Sequence, residues 1–237
     1  MEAIILAGGK ATRLGEAARG RPKALVPVCG HALAEYQVSQ LVRAGVARII
    51  VSCARGQERL FATKLGGLGA EIVPVGEPEP LGRGGGLRYA AAEREESGPL
   101  FALNGDELHD VDLAALLDTH RRTGAAATIV VAPLVSQFGV VEIGDDDRIV
   151  GFREAPRLPH WVNAGTYVLD DAAIERLPER GDHEQTTFPE LAEEGKLHGY
   201  RHEGIWITVN TPKDLQRAEA HYSKHPELLS GEARNTR

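Results

Sequence analysis

Arg13 and Lys23 follow closely behind the glycine pair Gly8-Gly9, an arrangement suited to holding a chain of phosphates. Glycine lets backbone N–H groups turn toward an anion and lets the anion come close. Arginine offers phosphate oxygens a planar fork, and lysine a mobile point charge. The stretch reads Leu6-Ala7-Gly8-Gly9-Lys10-Ala11-Thr12-Arg13-Leu14-Gly15, then Arg21-Pro22-Lys23-Ala24-Leu25. It is not a Walker A loop, because no Gly-Lys-Ser/Thr follows at the required spacing. It also lacks the Gly-x-Gly-x-x-Gly of a dinucleotide site. A third chemical group is Asp106, in Asn104-Gly105-Asp106 behind the apolar Leu100-Phe101-Ala102-Leu103. A carboxylate there suits Mg²⁺, which takes few protein oxygens and keeps places for water and phosphate.

These groups meet only if a parallel sheet brings them to one edge. Apolar runs at 3–7, 47–53, 70–75 and 99–103 read as strands, and amphipathic stretches at 32–44, 57–65 and 84–95 as helices between them. That alternation predicts βαβ units and an α/β fold: a Rossmann-like, mostly parallel mixed sheet with helices on both faces. In such a sheet ligands bind outside the carboxyl ends of the strands, which puts Asp106 on the edge that carries Gly8-Gly9. Beyond a helix near 111–122 the pattern changes to strands at 125–133, 138–143, 149–153 and 161–169, with Gly144-Asp145-Asp146-Asp147 as a hairpin turn. Helices near 171–176 and 187–194, strands at 197–201 and 205–209, and a final helix over 212–222 complete the chain. Pro212 suits the first turn of that helix. A single domain over 1–222 is expected, with a polar, frayed tail at 223–237.

The first motif resembles the signature of the sugar-1-phosphate nucleotidyltransferases, Gly-Gly-x-Gly-Thr-Arg-Leu followed by Pro-Lys, with Ala11 where that family usually has glycine. The resemblance spans about residues 1–220 and implies the nucleotide-diphospho-sugar transferase-like fold. It also implies the reaction of a nucleoside triphosphate with a sugar 1-phosphate to give a nucleotide sugar and pyrophosphate. Residues of about 1–110 would bind the nucleotide and those of about 111–222 the sugar. Arg13, Lys23 and Asp106 become catalytic candidates. Nucleotide contact falls to Leu6, Ala7, Gly8, Gly9, Arg13, Asn104 and Gly105. The Glu79-Pro80-Leu81-Gly82-Arg83-Gly84-Gly85-Gly86 loop resembles the family's segment at the base and ribose, which adds Glu79, Pro80, Gly82, Gly84 and Gly85. Phe138-Gly139-Val140-Val141, Phe152-Arg153-Glu154-Ala155-Pro156 and Val162-Asn163-Ala164-Gly165-Thr166-Tyr167 resemble sugar-side segments, so Gly139, Glu154, Asn163 and Gly165 are substrate-binding candidates. Ala155 stands where the family has a phosphate-binding lysine; Lys23, Arg153 and Arg157 are the candidates to compensate.

The resemblance implies Mg²⁺ on Asp106 and on a second residue near the C-terminal end. Members often read Trp-x-Asp-Val-Gly-Thr there, whereas this chain reads Trp206-Ile207-Thr208-Val209-Asn210-Thr211. Asn210 is the expected second ligand, as in the Val-Asn-Asn segment of N-acetylglucosamine-1-phosphate uridylyltransferases. Its other reading is a helix N-cap. Two further functions stay open: a cytidylyltransferase for a non-sugar phosphate or phosphonate, and a catalytically silent regulator that senses nucleotide sugars.

Composition limits the alternatives. The 237 residues carry a formal net charge of -7, against a general nucleic-acid binder. No apolar stretch is long enough to span a membrane. The chain enters its first strand at once, leaving no room for a signal peptide. Cys29 and Cys53 read as reduced, buried thiols of a cytoplasmic protein. A homo-oligomer is open.

Overall fold

The computed structural model describes residues 1–225. Of the tail expected over 223–237, residues 226–237 lie outside that range. The chain runs β1 (Glu2–Leu6), β2 (Pro27–Val28), β3 (His31–Ala32), α1 (Leu33–Arg43), β4 (Arg48–Ala54), α2 (Glu58–Leu65), β5 (Glu71–Glu77), α3 (Gly82–Ala91), β6 (Leu100–Asn104) and β7 (Glu107–His109). It continues with α4 (Leu113–Thr123), β8 (Ala127–Val135), β9 (Val140–Ile143), β10 (Ile149–Arg153), β11 (Arg157–Leu169), α5 (Asp171–Glu175), α6 (Thr187–Glu193), β12 (Leu197–Arg201), β13 (Trp206–Thr208) and α7 (Pro212–Tyr222).

Seven strands form one sheet in the order β12-β8-β11-β6-β1-β4-β5. β1 lies parallel to both β4 and β6, and only β11 runs antiparallel, against β6 and β8. The mostly parallel mixed sheet is therefore as expected. Side chains alternate along a strand, so each central strand feeds two cores. Ala3 and Ile5 meet Val38 and Leu41 of α1, Phe61 of α2 and Leu116 of α4 on one face. Ile4 meets Leu87 of α3, Ala173 of α5 and Leu191 of α6 on the other. A third core joins Leu14, Val26 and Tyr36 to Ile207, Val209, Ala218 and Tyr222. Burying these side chains clamps the C-terminal helix against the segment that follows the first glycine loop.

Two expectations need correction. The helix read at 84–95 is Gly82–Ala91, because the backbone N–H groups of Glu95 and Glu96 donate to the buried Glu2 carboxylate instead of continuing the helix. Cys53 is buried, but Cys29 is exposed: it sits at the turn of the β2–β3 ribbon with φ +49°, its thiol 3.5 Å from the Glu219 carbonyl. Among the described residues no helix is long and apolar enough to cross a membrane.

Candidate active site

The carboxyl edges of β1 and β6 meet beside one cavity of about 940 Å³, within the size range of ligand pockets. Gly105 is what lets the two edges touch. Its N–H donates to the Leu6 carbonyl at 2.9 Å, and a Cβ there would lie 2.5 Å from that oxygen. Gln37, on the buried face of α1, fixes the turn from below: its amide donates to the carbonyls of Asn104 and Glu107 at 2.8 and 2.9 Å. The turn between them presents Asp106.

Arg13, Lys23, Asp106 and Asn210 come together at this edge. Lys23 Nζ donates to Asp106 Oδ2 and, at 2.6 Å, to Asn210 Oδ1. Arg13 donates to the same amide oxygen at 2.7 Å. The first loop is held against Lys23, whose N–H donates to the Gly9 carbonyl at 3.3 Å. Thr211, not Asn210, caps α7: Thr211 and Asp214 form a capping box, and Asp214 also accepts from the Asn210 N–H at 3.1 Å. The helix-cap reading of Asn210 is thereby corrected, and its side chain is left to face the two cations.

Six basic side chains, Lys10, Arg13, Arg21, Lys23, Arg55 and Arg83, against four acidic ones, Glu77, Glu79, Asp106 and Glu107, line the cavity of a chain whose net charge is -7. Such local accumulation favours a polyanion. Leu6, Ala7, Gly8, Gly9, Glu79, Pro80, Gly82, Asn104 and Gly105 also line it. Glu77, which the sequence did not single out, braces two loops at once. Its carboxylate accepts from Ser52 Oγ at 2.7 Å and from the Leu81 N–H at 3.1 Å, and it lies 3.1 Å from where a Gly8 Cβ would be.

Other expected residues lie elsewhere. Gly84 and Gly85 are outside the lining and both donate their N–H groups to the Gly181 carbonyl. A Cβ on Gly84 would meet Pro178 and His183 at 2.7 Å. These glycines admit another stretch of backbone, so base contact through their amides is corrected. Gly139 and Glu154 lie near the exposed β9–β10 hairpin, and a Cβ on Gly139 would strike the Phe152 ring at 2.5 Å. Asn163 is spent internally: it donates to Tyr167 Oη and Glu184 Oε1, both at 2.9 Å, and accepts from the Gly165 N–H. Glu184 and Asp182 in turn hold Arg83. Thus a side chain of the second glycine loop is tied to the strand that carries Asn163.

Glu107 is the other unforeseen group. It is 6% exposed, borders the cavity, and accepts from Trp206 Nε1 at 2.8 Å and Thr208 Oγ1 at 2.7 Å, both on Oε2. Burial, reinforced by neighbouring Asp106, pushes its carboxyl up to about 8. Gly165 clears its place. With φ +69°, that residue holds a conformation favouring glycine, and a Cβ would lie 2.8 Å from Glu107 Cγ and 2.7 Å from Asn104 Nδ2. Gly165→Ala is therefore expected to lower the unfolding free energy by about 2 kcal/mol. A urea midpoint equal to the parent's would show that the site yields without cost.

The fold and the cation-lined cavity define an α/β protein with a polyanion-type site at the carboxyl edge of its sheet. The chain belongs to the nucleotidyl transferase family, whose model matches residues 2–225. A mannose-1-phosphate guanylyltransferase of Mycobacterium tuberculosis is 33% identical over 232 residues, 93% of this chain and 64% of that protein. A mannose-1-phosphate guanylyltransferase catalytic subunit beta of Danio rerio is 35% identical over 227 residues, 91% and 62% of the two chains. The chain thus spans a little under two thirds of these relatives' length. The crystal structure of HddC from Yersinia pseudotuberculosis shares the fold, with a TM-score of 0.73 and 24% identity over 93% of this chain and 99% of that one.

Proposed function

We propose that this chain is a sugar-1-phosphate nucleotidyltransferase, which joins a nucleoside triphosphate to a sugar 1-phosphate and releases pyrophosphate. The observation that carries this reading is the meeting of Arg13, Lys23, Asp106 and Asn210 at one sheet edge. In the reaction a phosphate oxygen of the acceptor forms a bond to the α-phosphorus while the α–β bridging P–O bond breaks. The acceptor is already an anion, so no general base is needed. The protein must instead align two like-charged groups and neutralise the charge that builds up.

Arg13, at the mouth, grips the departing pyrophosphate. Lys23, 11% exposed, lies where the α-phosphate and acceptor phosphate would approach each other. The backbone of Gly8 and Gly9 cradles the polyphosphate. Asp106 and Asn210 present hard oxygen atoms at the same place, and Asn104 Oδ1 is buried there without a hydrogen-bond partner among the described residues. This donor set fits Mg²⁺, which Asp106 and Asn210 would hold. A divalent cation supplies charge neutralisation at the α-phosphate. Lys23, which bridges the two oxygens, then has phosphate oxygens to turn to.

The sugar is assigned to the part formed by 111–222, with Gly139 and Glu154, which flank the β9–β10 hairpin, as its candidate contacts. The cytoplasm is the proposed location, since triphosphates and sugar phosphates are intracellular substrates. GTP with mannose 1-phosphate is the first pair to try, because the two relatives are named for that chemistry. Pyrophosphate release across four triphosphates and a panel of sugar phosphates tests the reading. Release with a non-sugar phosphate or phosphonate alone would favour the cytidylyltransferase reading; binding without release would favour the silent regulator.

A further inference from the structure

We propose that Glu107 is a ligand of the divalent cation, a second carboxylate delivered from β7, and that Thr208 and Trp206 hold it in place. This rests on the nucleotidyl-transfer reading above.

Glu107 is buried and borders the cavity next to Asp106, yet no lysine or arginine of the described residues forms an ion pair with it. Ionising a buried carboxyl is costly unless a cation faces it, and a divalent cation in the cavity would be that partner. Its two hydrogen bonds fall on one oxygen. Trp206 Nε1–H can only donate, and Thr208 Oγ1 donates to the same Oε2. Oε1 receives no hydrogen bond among the described residues and is free to coordinate. Donors that orient one oxygen of a ligating carboxylate are what metal sites use to aim the other.

The fold goes to some length to place this side chain. β7 and β13 form their own antiparallel ribbon with Thr208 opposite Glu107, so the carboxylate crosses to the strand whose continuation carries Asn210. Gln37 pins the Glu107 carbonyl, and the missing Cβ of Gly165 leaves room for the side chain. Position 208 itself offers only a hydroxyl, which is turned toward Glu107. Asp106, Asn210 and Glu107 all line the one cavity, and together they are the oxygen set assigned to the cation.

Mn²⁺ binding to the whole chain, followed by the electron paramagnetic resonance signal of the free ion, tests this without turnover. Glu107→Gln keeps an oxygen able to accept from Trp206 and Thr208 and removes only the charge. Its circular dichroism melting curve should match the parent's, and its Mn²⁺ affinity should fall by about tenfold or more. Adding Thr208→Asp to Glu107→Gln should recover most of the affinity, because it returns a carboxylate to the opposite strand. An affinity for Glu107→Gln within about twofold of the parent would overturn the proposal. If Asp106→Asn still loses Mn²⁺ in that case, the metal site and the proposed reaction stand without Glu107. A parent chain that binds no Mn²⁺ would overturn both.

Discussion

Asp106→Ala is expected to reduce pyrophosphate release by about a thousandfold while the protein stays folded. The residue stands just past the carboxyl edge of β6, 27% exposed, with its carboxylate paired to Lys23. Among the described residues its one ion pair is with Lys23, which keeps Asn210 as a partner after the substitution. A partly exposed pair of this kind contributes about 1 kcal/mol or less to stability. The rate should therefore collapse without a matching fall in the melting midpoint. Initial rates at saturating magnesium, with a denaturation curve for the same sample, measure both. Activity within a few-fold of the parent would remove Asp106 from the chemistry.

Lys23→Ala should lower the turnover number by about thirtyfold to a thousandfold, a loss of about 2–4 kcal/mol of transition-state stabilisation. The side chain is 11% exposed and is held between Asp106 and Asn210, so its charge is fixed before substrate arrives. Arg13 is exposed at the mouth and should behave differently. Arg13→Ala is expected to raise the triphosphate KM as well as slow turnover, because it removes a grip on the leaving group. Steady-state kinetics with the triphosphate varied separate the two. Unchanged turnover in Lys23→Ala would exclude it from the reaction.

The elements that carry this site were legible because their signals are local. The run before Gly8 is a buried strand, and the polar-apolar spacing of 32–44 is a helix. Arg13, Lys23 and Asp106 could be placed on one edge because parallel strands must share a direction. Glu107 was not legible. Strict alternation would send a residue next to Asp106 to the other side, and its link to Thr208 depends on the pairing of two segments far apart in sequence. Gly84 and Gly85 misled for a related reason. A glycine that admits a ligand and one that admits another backbone look alike in sequence, and here the neighbour is the 178–183 segment. Asn163 carries the donors and acceptor a hydroxyl would want, but Tyr167, Glu184 and Gly165 already use them. Asn210 and Thr211 are both good capping residues. The capping box that Thr211 forms with Asp214 decides that the second of them caps α7.

The sugar side gains least from sequence, because two of its three motifs fall near an exposed hairpin and the third is bonded internally. Phe138 is 76% exposed and Phe152 65%, and neither Gly139 nor Glu154 lines the cavity around Asp106. The acceptor therefore has to be identified by chemistry.

The most direct measurement is phosphorus magnetic resonance of the parent chain mixed with GTP, mannose 1-phosphate and magnesium. The proposed reaction requires the monoester and triphosphate signals to fall together while a nucleotide-sugar diphosphate and pyrophosphate rise in equal amounts. Repeating the spectrum with the other triphosphates and sugar phosphates finds the true pair if this one is slow. Inorganic phosphate as the product, or no change with any pair while the triphosphate binds, would contradict the assignment of this chain as a sugar-1-phosphate nucleotidyltransferase.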